Sequence, residues 1–439
     1  MVDRSRMVRI RLEKIIAACF AFLALQSCAS YTDETKEIRS LYRGDQFSSA
    51  LEKVDDSLLK EQERNRLLFY LEKSMVLDRL GRLNDSQKLL FSADKLADRL
   101  YTTSISKEAL TYVYNDSVQD YPGEDFEKVA IHTQLAMSFI EEDKLKSARI
   151  EARKINTKLH EINDKYDGKK NRYSEDAYAR YLAGTIYEAR GETDDAIIDY
   201  RKALKLYEGL YKKEFATGVP DQLVLALYGL LKKRGRTAQL NDLSKSYSKL
   251  LAKNKNVELK KDHGELIVFH EVGSVAIKEA KDFVIPVGGQ IIRLSFPVIK
   301  PRIFNQENES IGVRVKGQNY RAELAQNMDQ IASKTLDDRR LRMVLKQGAR
   351  LLVKGQLTEQ ARQNFGLVGG LAANVYSAVT ETADTRSWTL MPAAYYVTRL
   401  QLPAGEYTVS IGSSQYGGRR ETKKIRISSG KLLLLRGKG

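Results

Sequence analysis

The chain has 439 residues, a formal net charge of +16 and 42% hydrophobic residues. This length allows two or three domains of about 100–200 residues each, and only 7 prolines favour a helix-rich protein. The two cysteines, Cys19 and Cys28, both lie near the start, which excludes a disulfide framework or a cysteine-built metal site elsewhere.

The first 27 residues are typical of an export signal. They carry five basic and two acidic residues, and the basic cluster is followed by the apolar run IIAACFAFLAL (15–25). As a helix this run spans about 16 Å, which is short against a hydrocarbon core of about 30 Å. The pattern therefore favours a secretory signal over a membrane-spanning anchor.

Leu25, Gln26 and Ser27 stand before Cys28 and resemble the lipobox of bacterial lipoproteins. The resemblance implies a diacylglycerol on the sulfur of Cys28, cleavage before this residue and no thiol in the mature protein. Gln26 departs mildly from the usual small residue. Ala29 in place of aspartate implies the outer membrane, facing the periplasm, with the inner membrane as the alternative. The competing interpretation is a buried cysteine in an uncleaved anchor.

The charge that remains after residue 27 is +13, because the first 27 residues contribute +3. Such a surface suits acidic partners, which include anionic lipid head groups, acidic proteins and nucleic acid. Export argues against nucleic acid. We expect the basic surface to lie against anionic membrane or cell-wall polymers, with the membrane reached through lipid on Cys28.

Residues 28–255 are predicted to form a helical repeat domain. Six small or aromatic residues within 177–206 share one frame: Gly184, Tyr187, Gly191, Ala196, Tyr200 and Ala203. Their spacing resembles the tetratricopeptide signature, in which Gly191 would end the first helix in a left-handed conformation. Fainter copies upstream and downstream predict about five hairpins. The result is an α-solenoid whose concave face suits an extended partner or a helix, with a generic helical array as the alternative.

Residues 264–439 are predicted to form a C-terminal α+β domain, after the charged segment NKNVELKKDHGE (254–265). Runs rich in β-branched residues alternate with turns and indicate β-sandwich-like hairpins. Residues 320–356 have a helical period and are expected to form a helical insert. The fold class is therefore α+β multidomain.

Catalytic and metal-binding patterns are missing from the sequence. It contains no HExxH, GxSxG, phosphate-loop or dinucleotide fingerprint, and its four histidines have no metal-ligand spacing. We therefore expect no catalytic residue, no metal and no cofactor. A hydrolase that relies on carboxylates alone is the weakest alternative.

Asp384, Arg386 and Trp388 form a compact motif in TETADTRSWTLMP (380–392), around the only tryptophan. One interpretation is a structural corner, in which an Asp–Arg pair is buried and the tryptophan caps the sheet. The other is a binding site. The corner is favoured. The role of the glycine-rich stretch NFGLVGGLAANVYSAV (364–379) stays open.

The lipobox, the stretch YPGEDFEKVAIHTQLAMSFIEED (121–143), the strand GELIVFHEVG (264–273) and the ADTRSW motif together resemble an uncharacterised family of bacterial tetratricopeptide-repeat lipoproteins. The resemblance covers most of the mature chain. It implies an envelope role and, by gene neighbourhood alone, a link to peptidoglycan synthesis.

These observations predict a lipid-anchored periplasmic scaffold that binds envelope proteins through its helical repeats and is not an enzyme. The alternative is a lipoprotein that binds peptidoglycan or another glycan through its C-terminal domain.

Overall fold

The computed structural model describes residues 31–106, 119–166, 171–254, 259–287, 290–339, 383–413 and 420–438. The predicted lipobox residues Leu25, Gln26 and Ser27, the predicted lipidation site Cys28 and the stretch 364–379 lie outside the described residues.

The N-terminal part of the described chain is an array of five helical hairpins. Its helices are α1 Lys36–Arg43, α2 Phe47–Asp55, α3 Arg66–Arg79, α4 Leu83–Ser106, α5 Asp125–Glu141, α6 Leu145–Tyr166, α7 Ala177–Ala189, α8 Thr193–Leu206, α9 Asp221–Lys233 and α10 Thr237–Ser246. Short helical turns lie at Tyr31–Glu34, Leu58–Glu61, Glu63–Asn65, Tyr207–Tyr211, Lys212–Glu214 and Ser248–Lys253.

The five hairpins turn in the same way. Each has one residue with positive φ between its two helices: Asp45, Gly81, Asp143, Gly191 and Gly235, with φ of 57°, 74°, 56°, 78° and 62°. The amide after this residue donates to a carbonyl five residues earlier, as from Glu192 to Tyr187 at 2.9 Å. Glycine and aspartate both tolerate this left-handed conformation, so the turn geometry recurs although the residue differs.

The C-terminal part forms a sheet after the last helical turn ends at Lys253. Its strands are β1 His263–Val272, β2 Lys278–Val287, β3 Gln290–Ile299, β4 Glu307–Val315, β5 Gln318–Asn327, β6 Ala394–Pro403, β7 Gly405–Ser413, β8 Arg420–Ile427 and β9 Leu432–Lys438. Seven strands pair in the order β8-β7-β4-β5-β6-β1-β9, while β2 and β3 form a separate hairpin.

The described strands differ from the predicted sandwich, because seven of them belong to one sheet that curls on itself. The two outer strands approach each other, and the Lys423 ammonium on β8 donates to the carbonyl of Arg436 on β9 at 3.2 Å. The inner side of the curl holds its own apolar core, with Val268, Val409 and Ile411 fully buried. Curling supplies the second layer that a sandwich would take from another sheet.

The segment YRAELAQN (320–327) was expected to be helical and is instead part of β5. It lies in the interior of the sheet, paired with β4 on one side and β6 on the other. Its last six residues are buried. Tertiary pairing overrides the helical period here, and the helix begins only at residue 328 and continues to residue 339 within the described residues.

The outer face of the sheet packs against α3, α5 and α7, the first helices of the three central hairpins. Tyr178 on α7 stacks on Tyr395 of β6 with ring centroids 4.8 Å apart, and its ring meets Phe269 of β1 edge-on. This side of the array is therefore covered by the chain's own sheet. The reason is that these helices and strands β1, β6 and β9 bury complementary apolar and charged surfaces.

Candidate functional site

The repeat-signature residues lie together inside the hairpin formed by α7 and α8. Ala196, Tyr200 and Ala203 are fully buried, and Tyr187 is nearly so. A Cβ on Gly184 would stand 2.4 Å from Cδ1 of Tyr200, so only glycine allows the two helices to approach this closely. These residues hold the hairpin together.

The side chains of Asp384 and Arg386 form an ion pair in the segment that leads into β6. The Arg386 guanidinium donates two hydrogen bonds to Asp384, at 2.9 and 2.8 Å. Its third nitrogen donates to the Asn65 side chain at 3.2 Å and to the Gln119 carbonyl at 2.9 Å. The guanidinium also lies over the Tyr121 ring. Arg386 therefore ties the motif to the loops that precede α3 and α5.

Trp388 is fully buried beside two glutamates from the helical array. Its backbone amide donates to Glu127 of α5 at 2.7 Å. The next two amides, of Thr389 and Leu390, donate to Glu72 of α3 at 2.6 and 3.0 Å. Two buried carboxylates thus hold three consecutive amides of the motif.

Burial governs the charge of these carboxylates. It raises the pKa of Glu72 from 4.5 to about 7, although the amides and hydroxyls that donate to it lower the pKa in part. Burial also raises the pKa of Glu127, against the opposing effect of Lys278. Glu72 therefore changes charge close to neutral pH.

Glu124, at the start of α5, has the opposite shift. Burial alone would raise its pKa, but the nearby charges of Arg339 and Lys278 hold it at about 2. Its side chain also caps α5 in a reciprocal capping box with Glu127. The ion pairs with Lys278 and Arg339 join β2 and the 328–339 helix to the array.

Arg436 on β9 connects the sheet to two helices from a fully buried position. Its guanidinium lies 2.7 Å from Asp78 of α3, 3.3 Å from Glu141 of α5 and 2.8 Å from Glu271 of β1. It also donates to Gln134 at 2.9 Å. Although burial alone would raise the pKa of Asp78, Arg436 holds it below the ordinary value.

Arg399 of β6 is a second buried arginine that joins the sheet to a helix; Arg436 and Arg399, each with its acidic partners, are called the arginine nodes. Its guanidinium donates to Glu188 of α7 at 2.7 Å and to Glu265 of β1 at 2.6 Å. Sequence reasoning missed both nodes. The signal for Arg436 was present, since a lone arginine after four leucines in KLLLLRGK (431–438) is unusual for a strand with a buried face.

The arrangement holds the array and the sheet together. The motif, both arginine nodes and the tyrosine stack all join a helix or helix-flanking loop to the sheet or its lead-in segment. Losing one partner of such a buried pair costs several kcal/mol, so single substitutions at these positions should weaken the contact between array and sheet.

His132 joins three helices of the array through two carboxylates. His132 on α5 lies 2.8 Å from Glu151 of α6 and 3.4 Å from Asp94 of α4. Burial alone would lower its pKa, but these carboxylates raise it.

No group of three or more potential metal ligands occurs within the described residues. Among the helices that the structure describes, none has the length and apolar character needed to cross a bilayer.

No family model matches the chain, and no curated protein matches it either. Among solved structures it is similar to BtubC (BKLC) from P. vanneervenii, at 16% identity and a TM-score of 0.31 over 51% of this chain and 77% of that one. MamA AMB-1 gives 14% identity and a TM-score of 0.31 over 51% and 91%. A putative kinesin light chain of Podosopora anserina gives 12% and 0.32 over 51% and 96%. Likeness at this level bears on neither partner nor function.

Proposed function

We propose that this chain is a lipid-anchored adaptor of the bacterial envelope that binds another envelope protein through the outward side of its helical array. The lipobox resemblance ending at Cys28 supports the anchor and the compartment. The five hairpins support a protein-binding role, since helical solenoids present extended surfaces to partners.

One observation carries the choice of surface. Ile150 on α6 and Ile198 on α8 are 52% and 51% exposed, among the few large apolar side chains this exposed in the described residues. Each stands two residues after a buried alanine of the repeat frame, Ala148 or Ala196, so the two positions are equivalent in neighbouring hairpins. Exposed apolar side chains at equivalent repeat positions favour this side of the array as the one that a partner would cover.

The location on the second helices matters because the first helices are already occupied. Their charged and aromatic side chains contact β1, β6 and β9, as Glu188 and Tyr178 of α7 do. A partner that binds without displacing the sheet must use the outward side.

Photo-crosslinking in cells tests this surface. A photoreactive residue at Ile150 or Ile198 is expected to capture one and the same protein, and Ile150→Lys/Ile198→Lys is expected to abolish its co-purification. A photoreactive residue at the exposed Thr408 of β7 is the control. Equal capture from all three positions, or no capture from either isoleucine, would contradict the proposal.

Lipid labelling tests the anchor separately. Labelled palmitate is expected to enter the wild-type protein but not Cys28→Ser, and only the wild type should fractionate with membranes. An unlabelled wild type that stays in the cytoplasm would overturn the proposed compartment.

The alternative, glycan binding through residues 264–439, is tested with the whole chain, because the helices cover part of the sheet. Retention on purified sacculi that survives Ile150→Lys/Ile198→Lys, in a protein with no crosslinked partner, would favour the alternative.

A further inference from the structure

The outer face of the sheet continues past the helices onto strands β4, β7 and β8. The strand register places Arg420, Lys424 and Arg426 of β8 on this face, opposite Gly412, Thr408 and Glu406 of β7. Arg314 of β4 lies on the same face, opposite Ser410. These four basic residues are all exposed.

Basic side chains at this exposed end lack the partners they have at the covered end. Within the described residues, no ion pair joins Arg314, Arg420, Lys424 or Arg426 to a carboxylate, whereas Arg399 and Arg436 each meet at least two. Among the described residues only Glu406 supplies a negative charge between them on β7 and β8. These described residues therefore give this face an excess of positive charge.

The shape of this surface suits a plane of anionic groups. Alternate residues of a strand stand about 7 Å apart and neighbouring strands about 4.8 Å apart, so the charges spread over a broad sheet surface. Thr408, Ser410 and Thr422 lie between them and supply hydroxyl donors for phosphate oxygens. The described residues on this face of β4, β7 and β8 include no aromatic ring on which a sugar would stack.

We propose that the exposed end of this sheet face, with Arg314, Arg420, Lys424 and Arg426, binds the anionic head groups of a phospholipid bilayer. This goes beyond the adaptor function and requires neither a protein partner nor lipid on Cys28. Basic residues on an edge strand also discourage pairing between molecules, and that role alone predicts no binding to vesicles.

Vesicle co-sedimentation tests the proposal. The protein is residues 28–439 with Cys28→Ser, which contains every described residue, and the vesicles are phosphatidylcholine with or without about one third phosphatidylglycerol. Each cation near an anionic surface raises partitioning about five-fold, so Arg420→Gln/Lys424→Gln/Arg426→Gln is expected to weaken binding at least ten-fold. Wild-type binding should require phosphatidylglycerol and fall with salt.

A charge-matched control separates a site from net charge. Arg201→Gln/Lys202→Gln/Lys205→Gln removes three exposed cations from α8 and is expected to change binding less than about three-fold. Equal losses in both triple variants would overturn the site. So would a wild type that ignores phosphatidylglycerol, or one that binds sacculi through these residues instead of vesicles.

The conservative variant Arg420→Lys/Arg426→Lys keeps every charge and should bind like the wild type. A ten-fold loss from it would contradict recognition of a diffuse anionic surface, because it would require the arginine fork itself.

Discussion

Strands β1 and β6 turn one face of the sheet toward the helices, whereas β7 and β8 turn the same face toward solvent. On the covered half this face carries Phe269, Tyr395 and Val397, all fully buried. On the exposed half the equivalent positions hold Thr408 and Lys424. The change of side chains occurs within one continuous ladder of backbone hydrogen bonds.

The comparison teaches how charge is used in each half. On the covered half, Arg399 and Arg436 are buried, and each forms ion pairs with two or more carboxylates from helices and strands. Cations on the exposed half are solvated and lack a carboxylate partner among the described residues. The first arrangement specifies which surfaces meet, because a misplaced buried charge is costly. The second leaves charge available for long-range attraction.

The largest contrast should come from removing one arginine in each half. Arg436→Ala leaves the buried Glu271 without its cation and leaves Asp78 and Glu141 paired with Lys438 alone, and we expect a loss of about 3–5 kcal/mol in the free energy of unfolding. Arg426→Ala is the matched variant on the exposed half, with an expected change within about 0.5 kcal/mol. Urea denaturation measures both. Similar losses of unfolding free energy in the two variants would contradict the claim that arginines stabilise only the covered half.

The free energy of unfolding should depend on pH through the titration of Glu72 on the covered half. Its pKa is raised by burial to about 7, so the fold favours the protonated acid. The stability it contributes is full below the unfolded pKa of about 4.5 and is lost as pH rises through about 7, on the order of 3 kcal/mol in total.

Glu72→Gln removes this titration. The stability difference between the wild type and this variant should therefore shrink as pH rises from about 5 to about 8, measured by urea denaturation at each pH. Glu63→Gln, at a largely exposed glutamate, controls for the loss of one carboxylate. A difference that is constant across this range would show that Glu72 has no raised pKa.

A larger side chain between α7 and α8 should push these two helices apart and destabilise the array that packs on the sheet. Gly184→Ala forces a methyl group into the Tyr200 ring, and we expect a net loss of about 1–3 kcal/mol even though alanine favours helix. Gly209→Ala, where nothing lies within 4 Å, is the control and should be neutral or stabilising by up to about 1 kcal/mol. Thermal denaturation compares them. A Gly184→Ala protein as stable as the control would mean that α7 and α8 shift apart at little cost.

Local patterns predicted the helical hairpins because each hairpin closes over residues near in sequence. The glycine at 184 and the left-handed turn at Gly191 are local requirements, so their spacing was informative. The Asp384–Arg386 pair is likewise local. The node at Arg436 is different, because Asp78 lies 358 residues away in the sequence. The residues next to Arg436 in the sequence do not indicate which carboxylate it contacts.

Pairing between distant segments also explains the errors. The segment YRAELAQN has a helical period but becomes an interior strand, because it pairs with the preceding strand β4 on one side and with the distant strand β6 on the other. The repeat pattern predicted a concave face that suits an extended partner, but such a pattern describes the helices alone. It carries no information on whether the same chain returns to cover them.

A reciprocal exchange of one side chain between the halves gives the most closely matched comparison. Val397 is fully buried against the helices, and Val397→Thr places a hydroxyl there, with an expected loss of about 1–3 kcal/mol. Thr408→Val makes the reverse change on the exposed half, and we expect a shift within about 0.5 kcal/mol because both residues suit a solvated strand. The two substitutions exchange nearly identical volumes, so any difference between them reports the surroundings rather than the side chain. If Thr408→Val destabilised the protein as much as Val397→Thr, the face around β7 would have to be covered too, and the charges beside it would not be free to meet a membrane.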